Sequence, residues 1–342
     1  MGESREFLGA PKWENFVEAE AREIRQRFLR ERIQVSSEDS GMHTNGGSGG
    51  VSPGVGSGIR PGIRPGIRQI SPTSGIDASW FRSLGLKRQW IIRGAAAGRE
   101  SRKAVLIGSW AAAQWGMWFL PPKNHEVVFA LPSGYQPSKS VVPHGVRFKS
   151  MKIRQEEIVE LDGVRVTDPL RTYLDLCRMK DETNAWLAAG WLLERGMSAG
   201  EIAAYAEEFE GAIHENRRQL AVAIPARAAE LKSYRYVLAY ALLKDSPARV
   251  RVHCELDEIG HATLLAGNDL VIAVDEDPLL RDLDEEPEGR QIAFHLRKRE
   301  RWVTARGYRK LYFTSKEIEA NPDGFVSEVL GARHLRRRDL RF

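Results

Sequence analysis

Apolar residues recur at helical spacing from the start of the chain. Trp13, Phe16, Val17, Ile24 and Phe28 share one side of a stretch running from Lys12 to about Ile33, and Lys, Arg and Glu fill many of the other positions. That pattern predicts one amphipathic helix. It gives way at Ser36–Ser74 to a segment rich in Gly, Ser and Pro, with Gly-Ile-Arg in tandem at Gly58–Arg60, Gly62–Arg64 and Gly66–Arg68. Few large apolar side chains are present there to offset the entropy of ordering, so a disordered linker is expected. Its regularly spaced arginines either decorate that linker or touch nucleic acid.

Regular patterning resumes near Ile76. Arg99–Gln114 predicts a helix with a small-residue face (Ala104, Gly108, Ala112), ending at Gly116. Val127–Leu131 is a short buried strand followed by turn residues Pro132, Ser133 and Gly134, and Val146–Ile153 alternates as a second strand. Asp162-Gly163 predicts a tight hairpin turn into Val164–Val166. Asp168 then suits an N-cap, with Pro169 at the first helical position, and Leu170, Tyr173, Leu174 and Cys177 form an apolar stripe. Trp186–Glu194 predicts another helix closed by Gly196, and Ser198 with Glu201 spells a capping box for the next. His125 and His144 have no ligand-type neighbours in sequence and are expected in loops or turns.

Ala226–Leu243 is helical in pattern. Three strand candidates follow at Arg249–Leu256, His261–Leu265 and Leu270–Val274, with turns at Asp257–Gly260 and Ala266–Asp269. Arg290–Arg306 predicts a helix with Ala293, Leu296 and Val303 inward and its charges outward. Gly307 stops it, Tyr308–Phe313 is a strand, and Thr314 with Glu317 boxes a last helix. The expected class is therefore α/β of the α+β kind. The segments are an N-terminal helix (1–35), a linker (36–75), a mixed domain (76–225), a second mixed domain (226–332) and a basic tail (333–342).

Composition narrows the function classes. The chain has 342 residues, 42% of them hydrophobic, enough for two cores. No apolar run approaches the ~20 residues that cross a bilayer. The opening Met1–Lys12 is polar, without the apolar core of a signal peptide, so a cytoplasmic protein without a membrane partner is expected. Cys177 and Cys254 lie far apart, which excludes a clustered zinc site and points to reduced thiols. The net charge of +5 is modest. Its distribution is not, because Arg290–Lys310 and Arg333–Arg341 are basic and Asp275–Glu288 is acidic. Such clustering fits a polyanion partner, DNA above all, or a solvated basic face.

Two resemblances give this layout a family context. The buried strand Asp269–Asp277 ending in acids, and the segment Arg297–Thr314 with its basic helix, Gly turn and strand, resemble endonucleases of the very-short-patch-repair and restriction type over about Ala226–Leu330. The middle region resembles the C-terminal part of AbiEi-type antitoxin regulators, carried by Gly163–Leu176 and Ala185–Gly196. That family usually opens with a winged helix, and here the linker and a lone helix stand in its place. The resemblance implies a restriction-endonuclease-like sheet flanked by helices, and a regulatory or phage-defence role of the toxin–antitoxin type.

It also implies where cleavage chemistry would sit. Such nucleases converge carboxylates on a divalent metal that activates water and stabilises phosphate charge. The second-strand acid falls at Leu264 or Thr263, neither of which can replace it. Asp275 shortens the family's Glu, Pro278 stands where the family has Gly, and a Glu-Ser on the first helix corresponds to Lys232-Ser233. A degenerate site near Leu264, Asp275 and Asp277 is therefore expected, with no metal and no cofactor. The alternative is an active magnesium enzyme that uses Asp275 and Asp277 with Glu255, Asp257 or Glu258 as substitute ligand. A third reading is a protein-interaction subunit with an acidic partner. Arg297, Lys298, Arg299, Arg301, Arg309 and Lys310 are the expected nucleic-acid contacts.

Overall fold

The computed structural model describes residues 13–34, 67–71, 73–138, 140–255, 261–274 and 307–334. It is an α+β protein with helices and three sheets that mix parallel and antiparallel pairing. The chain divides into two compact units, Met1–Asp175 and Leu176–Phe342. This division falls earlier than the expected boundary at 225/226, within the helix α5 (Pro169–Arg178). Among the described residues no helix is long and apolar enough to cross a membrane.

The first unit opens with a short 3-10 turn, Trp13–Phe16, and the helix α1 (Ala19–Glu31). The single helix expected over Lys12–Ile33 is thus shorter, and Ile33–Gln34 is a strand, β1. It pairs with β3 (Ser74–Asp77), which also pairs with β2 (Ile67–Gln69), giving an antiparallel sheet in the order β1-β3-β2. The expected linker therefore stops short of 75. Its last residues are held by Glu100, whose Oε1 accepts from the Ser71 hydroxyl, the Thr73 hydroxyl and the Thr73 N–H. The stretch 36–66 lies outside the described residues.

The helix expected over Arg99–Gln114 is three elements instead. After the short helix α2 (Ala78–Ser83), α3 (Leu86–Glu100) ends before Ser101, β4 (Val105–Leu106) follows, and α4 (Ser109–Trp115) begins only after Gly108. Gly108, at φ 57° and ψ −136°, occupies backbone space that no helix uses. β4 lies at the centre of a five-stranded sheet with β5 (Val127–Ala130), β6 (Val146–Lys149), β7 (Ile158–Leu161) and β8 (Val164–Thr167), in the order β6-β5-β4-β8-β7. Pairing is parallel for β5–β6 and β4–β8 and antiparallel for β4–β5 and β7–β8. Trp90 of α3 stacks on Trp110 of α4 at 3.8 Å. The indole N–H groups of Trp110 and Trp115 donate to the carbonyls of Glu126 and Thr167, which fixes α4 against the sheet.

Asp162-Gly163 turns β7 into β8 with φ 51° and 80°, the left-handed pair that an Asp-Gly hairpin needs. Two helices reach this turn. The buried Arg25 of α1 donates from Nε to the Asp162 carboxylate at 2.9 Å and from Nη1 to the Gln114 carbonyl. Arg99 of α3 donates to the Asp162 carbonyl. The backbone N–H of Glu18 adds a bond to the Trp115 carbonyl.

Beyond β8, Asp168 caps α5 by accepting from the Arg171 backbone N–H at 2.8 Å. α5 is buried along Arg171–Cys177 rather than on one stripe. Its Arg171 side chain, 1% exposed, donates to Asp175, Glu157 and the Lys152 carbonyl. Burial alone would raise the Glu157 carboxyl, but the Arg171 charge and the Arg154 N–H hold it below its ordinary value. Asp168 goes the other way. Burial, joined by the charges of Glu157 and Asp175, pushes it up to about 7 against the pull of the Arg171 N–H.

The second unit holds α6 (Glu182–Glu194), α7 (Ala199–Glu208), α8 (Glu215–Leu231) and α9 (Tyr234–Leu243). α6 packs on both α8 and α9, which groups it with the C-terminal part of the chain. Ser198 and Glu201 form the capping box of α7, and Arg218 of α8 donates to three carbonyls at its other end, those of Ala206, Glu207 and Phe209. Glu182 accepts from Arg217 and Lys244, tying the start of α6 to α8 and to the end of α9. The helix expected over Ala226–Leu243 is broken at Lys232, which turns into the left-handed region at φ 60° and ends α8. The four-stranded sheet of this unit has the order β12-β11-β10-β9.

Two outcomes test the buried network. Removing the guanidinium by Arg171→Met leaves Glu157 and Asp175 buried without their cation, so a loss of about 3–5 kcal/mol is expected in denaturant unfolding. The Asp168 carboxyl keeps its proton in the folded chain up to about pH 7, whereas the unfolded one ionises near pH ~4. The folded state then binds more protons across that window, and this contribution to stability falls as pH rises. Asp168→Asn retains a capping oxygen and cannot ionise. Its melting temperature relative to the native chain should rise between pH 5 and pH 8, and a pH-independent difference would contradict the shift.

Candidate functional site

The candidate site belongs to the four-stranded sheet of the second unit. β9 (Val250–Glu255), β10 (His261–Ala266) and β11 (Leu270–Val274) form an antiparallel meander, and β12 (Arg309–Phe313) adds in parallel to β11. β11 is buried at all five positions, as a strand covered on both faces must be. Gly267 at φ 62° turns β10 into β11, and Gly307 at φ 91° precedes β12. Thr314 and Glu317 box the helix Ser315–Ala320, and Pro322–His334 follows it.

Leu264 lies in the middle of this sheet. It pairs with Ile272 on β11 and Val252 on β9, and Ile272 pairs in turn with Leu311 on β12. The register thus aligns four apolar residues in one row across the sheet. Leu264 is 0% exposed and Ile272 1%, an environment that a lone carboxylate could enter only at a cost of several kcal/mol. Lys232-Ser233, the pair expected within the first helix, sits at the break between α8 and α9. Glu255 is exposed at the end of β9, opposite His261. Asp257, Glu258, Asp275 and Asp277 lie outside the described residues, as do Arg297, Lys298, Arg299 and Arg301. Among the described residues no group of three His, Cys, Asp or Glu side chains is placed to hold a metal ion.

The two remaining expected contacts differ from each other. Arg309 is committed within the fold. Its Nε and Nη2 meet the two carboxylate oxygens of Asp269 at 2.8 and 3.3 Å, its Nη1 donates to the Ala332 carbonyl, and its backbone N–H donates to the Asp269 carbonyl. Such a forked pair positions the start of β12 against β11 and leaves little of the guanidinium for a phosphate. Asp269, read from the sequence as a turn residue, is thus the partner that the pattern did not reveal. Lys310 is half-buried, with its Nζ 4.2 Å from the centre of the Tyr312 ring. By register Lys310, Val271, Leu265 and Arg251 form one row across the sheet, so basic residues flank both edges of an apolar middle.

Along the β9 edge runs a cavity of about 480 Å³ lined by Val250–Glu255 with Arg227 and Tyr240. His253 is held there at φ 47°, and its ring nitrogen bonds the Glu230 carbonyl. Cys254 is half-buried and unbridged, like the buried Cys177. Comparison of the chain with protein-family models, curated proteins and solved structures found no match.

Leu264→Ala should cost about 2–5 kcal/mol in denaturant unfolding, as a truncation in a closed core does. Arg309→Met should cost about 1–3 kcal/mol, because Asp269 loses a charge-assisted fork. An unfolding midpoint unchanged by Arg309→Met would return that guanidinium to the candidate nucleic-acid contacts.

Proposed function

We propose that the chain is a nucleic-acid-binding regulatory or defence-related protein whose C-terminal unit is a degenerate endonuclease fold that binds without cutting. The observation that carries this reading is the placement of Leu264, sealed in an apolar row at the strand where the resemblance calls for a metal-binding acid. The antiparallel meander, the parallel strand β12 and the boxed helix support the layout that the resemblance implies, which is helix, three-stranded meander, helix, strand, helix; its middle helix, expected over Arg290–Arg306, lies outside the described residues. Binding rests on the basic positions Arg297, Lys298, Arg299 and Arg301 of the sequence, with Lys310. The TDPLR segment of the AbiEi-like region (Thr167–Arg171) acts as structure in this reading, since Asp168 caps α5 and Arg171 anchors it.

With four to five phosphate contacts in play, log affinity for duplex DNA should fall with log salt at a slope of about −3 to −5. Plasmid incubated with magnesium or manganese should stay uncut. Replacing Arg297, Lys298 and Arg301 together with Ala should weaken binding to any duplex and flatten the slope by about two to three. Magnesium-dependent nicking that Asp275→Ala abolishes would make the chain an enzyme using a substitute acid. Absence of DNA binding at low salt would leave a protein-interaction subunit.

A further inference from the structure

The first unit contains a cleft of about 510 Å³. Its floor is the face of β5 and β6 that carries Val127, Phe129, Val146 and Phe148, with the phenyl rings of Phe129 and Phe148 stacked at 5.8 Å. One wall is a stripe of α3, Arg93, Ala97 and Glu100, at the spacing that puts residues on one helix face. Arg68 of β2 forms the rim, with His125 and His144 from the loops around β5.

Charge in this cleft is unbalanced. The guanidinium groups of Arg68 and Arg93 both pack on the Phe81 ring, 4.7 and 5.6 Å from its centre, and no carboxylate pairs with either among the described residues. Glu100, the acid of the lining, is already turned to Ser71 and Thr73. Burial, and then the charge of Arg68, pull the Arg93 guanidinium below its ordinary value, as two cations side by side must. An arginine cannot shed this repulsion by losing its proton near neutral pH, so an anion is what relieves it. A carboxylate brings one negative charge, whereas a phosphate monoester brings about −1.5 to −2 near neutral pH and offers several acceptors to two forks. The apolar floor suits a flat or apolar body attached to that phosphate, and the volume falls within the ~300–1,000 Å³ of small-molecule sites.

We propose that this cleft binds a small organic phosphate of nucleoside monophosphate size, with its phosphate between Arg68 and Arg93 and its apolar body on Phe129 and Phe148. The source of such a group is either a free metabolite or the 5′ end of a nucleic acid, and the chemistry recognised is the same.

Calorimetric titration of the full chain tests it with AMP, inorganic phosphate and adenosine as probes. AMP should bind at least about tenfold more tightly than inorganic phosphate, and adenosine more weakly than AMP by a similar factor. Arg93→Met, which keeps an unbranched apolar stem in the wall, should weaken AMP about tenfold or more. Arg68→Met, at an exposed strand position, should do the same and keeps the test open should Arg93→Met fail to fold. Phe148→Ala should remove the advantage of AMP over phosphate and spare phosphate itself. Displacement of AMP by a 5′-phosphorylated trinucleotide, and not by its unphosphorylated form, identifies a nucleic-acid end as the source. Failure of both to displace it identifies a free metabolite, and either result supports the site. No AMP binding at millimolar concentration, or AMP binding unchanged in a folded Arg68→Met variant, overturns the proposal.

Discussion

A guanidinium cut off from water needs acceptors for all its donors, and Arg171 sets that condition for the first unit. Glu157 arrives from the 3-10 turn before β7, Asp175 from one helical turn further along α5, and the Lys152 carbonyl from the strand side. Arg171, Glu157 and Asp175 are each at most 2% exposed, so none of the three charges can exchange its partner for water. The network contributes little net stability compared with an apolar core of the same size. What it contributes is uniqueness: helix, turn and sheet meet in one arrangement because every other arrangement strands a charge. Asp168 completes the geometry through its cap, and its raised affinity for a proton follows first from its own burial and then from the charges of Glu157 and Asp175.

Local signals in the sequence were legible wherever the cause was local. The Asp162-Gly163 turn, the Asp168 cap with Pro169 behind it, and the boxes at Ser198 and Thr314 all depend on neighbours in the chain, and all occur as expected. The strands Val127–Ala130, Val164–Thr167 and Leu270–Val274 were legible too, because each is a short apolar run bounded by turn residues. Failures came where tertiary pairing overrode period. Val105 and Leu106 fit a helical pattern with the alanines around them, yet the sheet centre claims them. Lys232 carries no mark of a helix end, and only the folded chain turns there. Ile67–Gln69 looks like the last of a run of repeats until Ser74–Asp77 returns to pair with it.

The sites show the same division. That Leu264 cannot ligate a metal was readable from its side chain, whereas its row across four strands needed the register. Arg309 was read as a free cation because its partner lies forty positions earlier. The cleft around Arg68 and Arg93 left no motif at all. Its residues come from β2, α3, β5, β6 and the loops before those two strands, and only their assembly leaves two cations facing one space.

The hairpin turn at Asp162 carries a further consequence, for covalent connectivity. Residues 13–34 join the remainder of their unit through the Arg25 ion pair and its bond to the Gln114 carbonyl, the Glu18 N–H, the Arg88–Glu20 pair and the two-residue ladder of β1 on β3. Ala21, Ile24 and Phe28 bury the apolar side of α1 in the same place. All of these bonds join residues 13–34 directly to residues 74–162. A chain cut between the two segments retains each of these described bonds, so the first unit is expected to reassemble from two pieces.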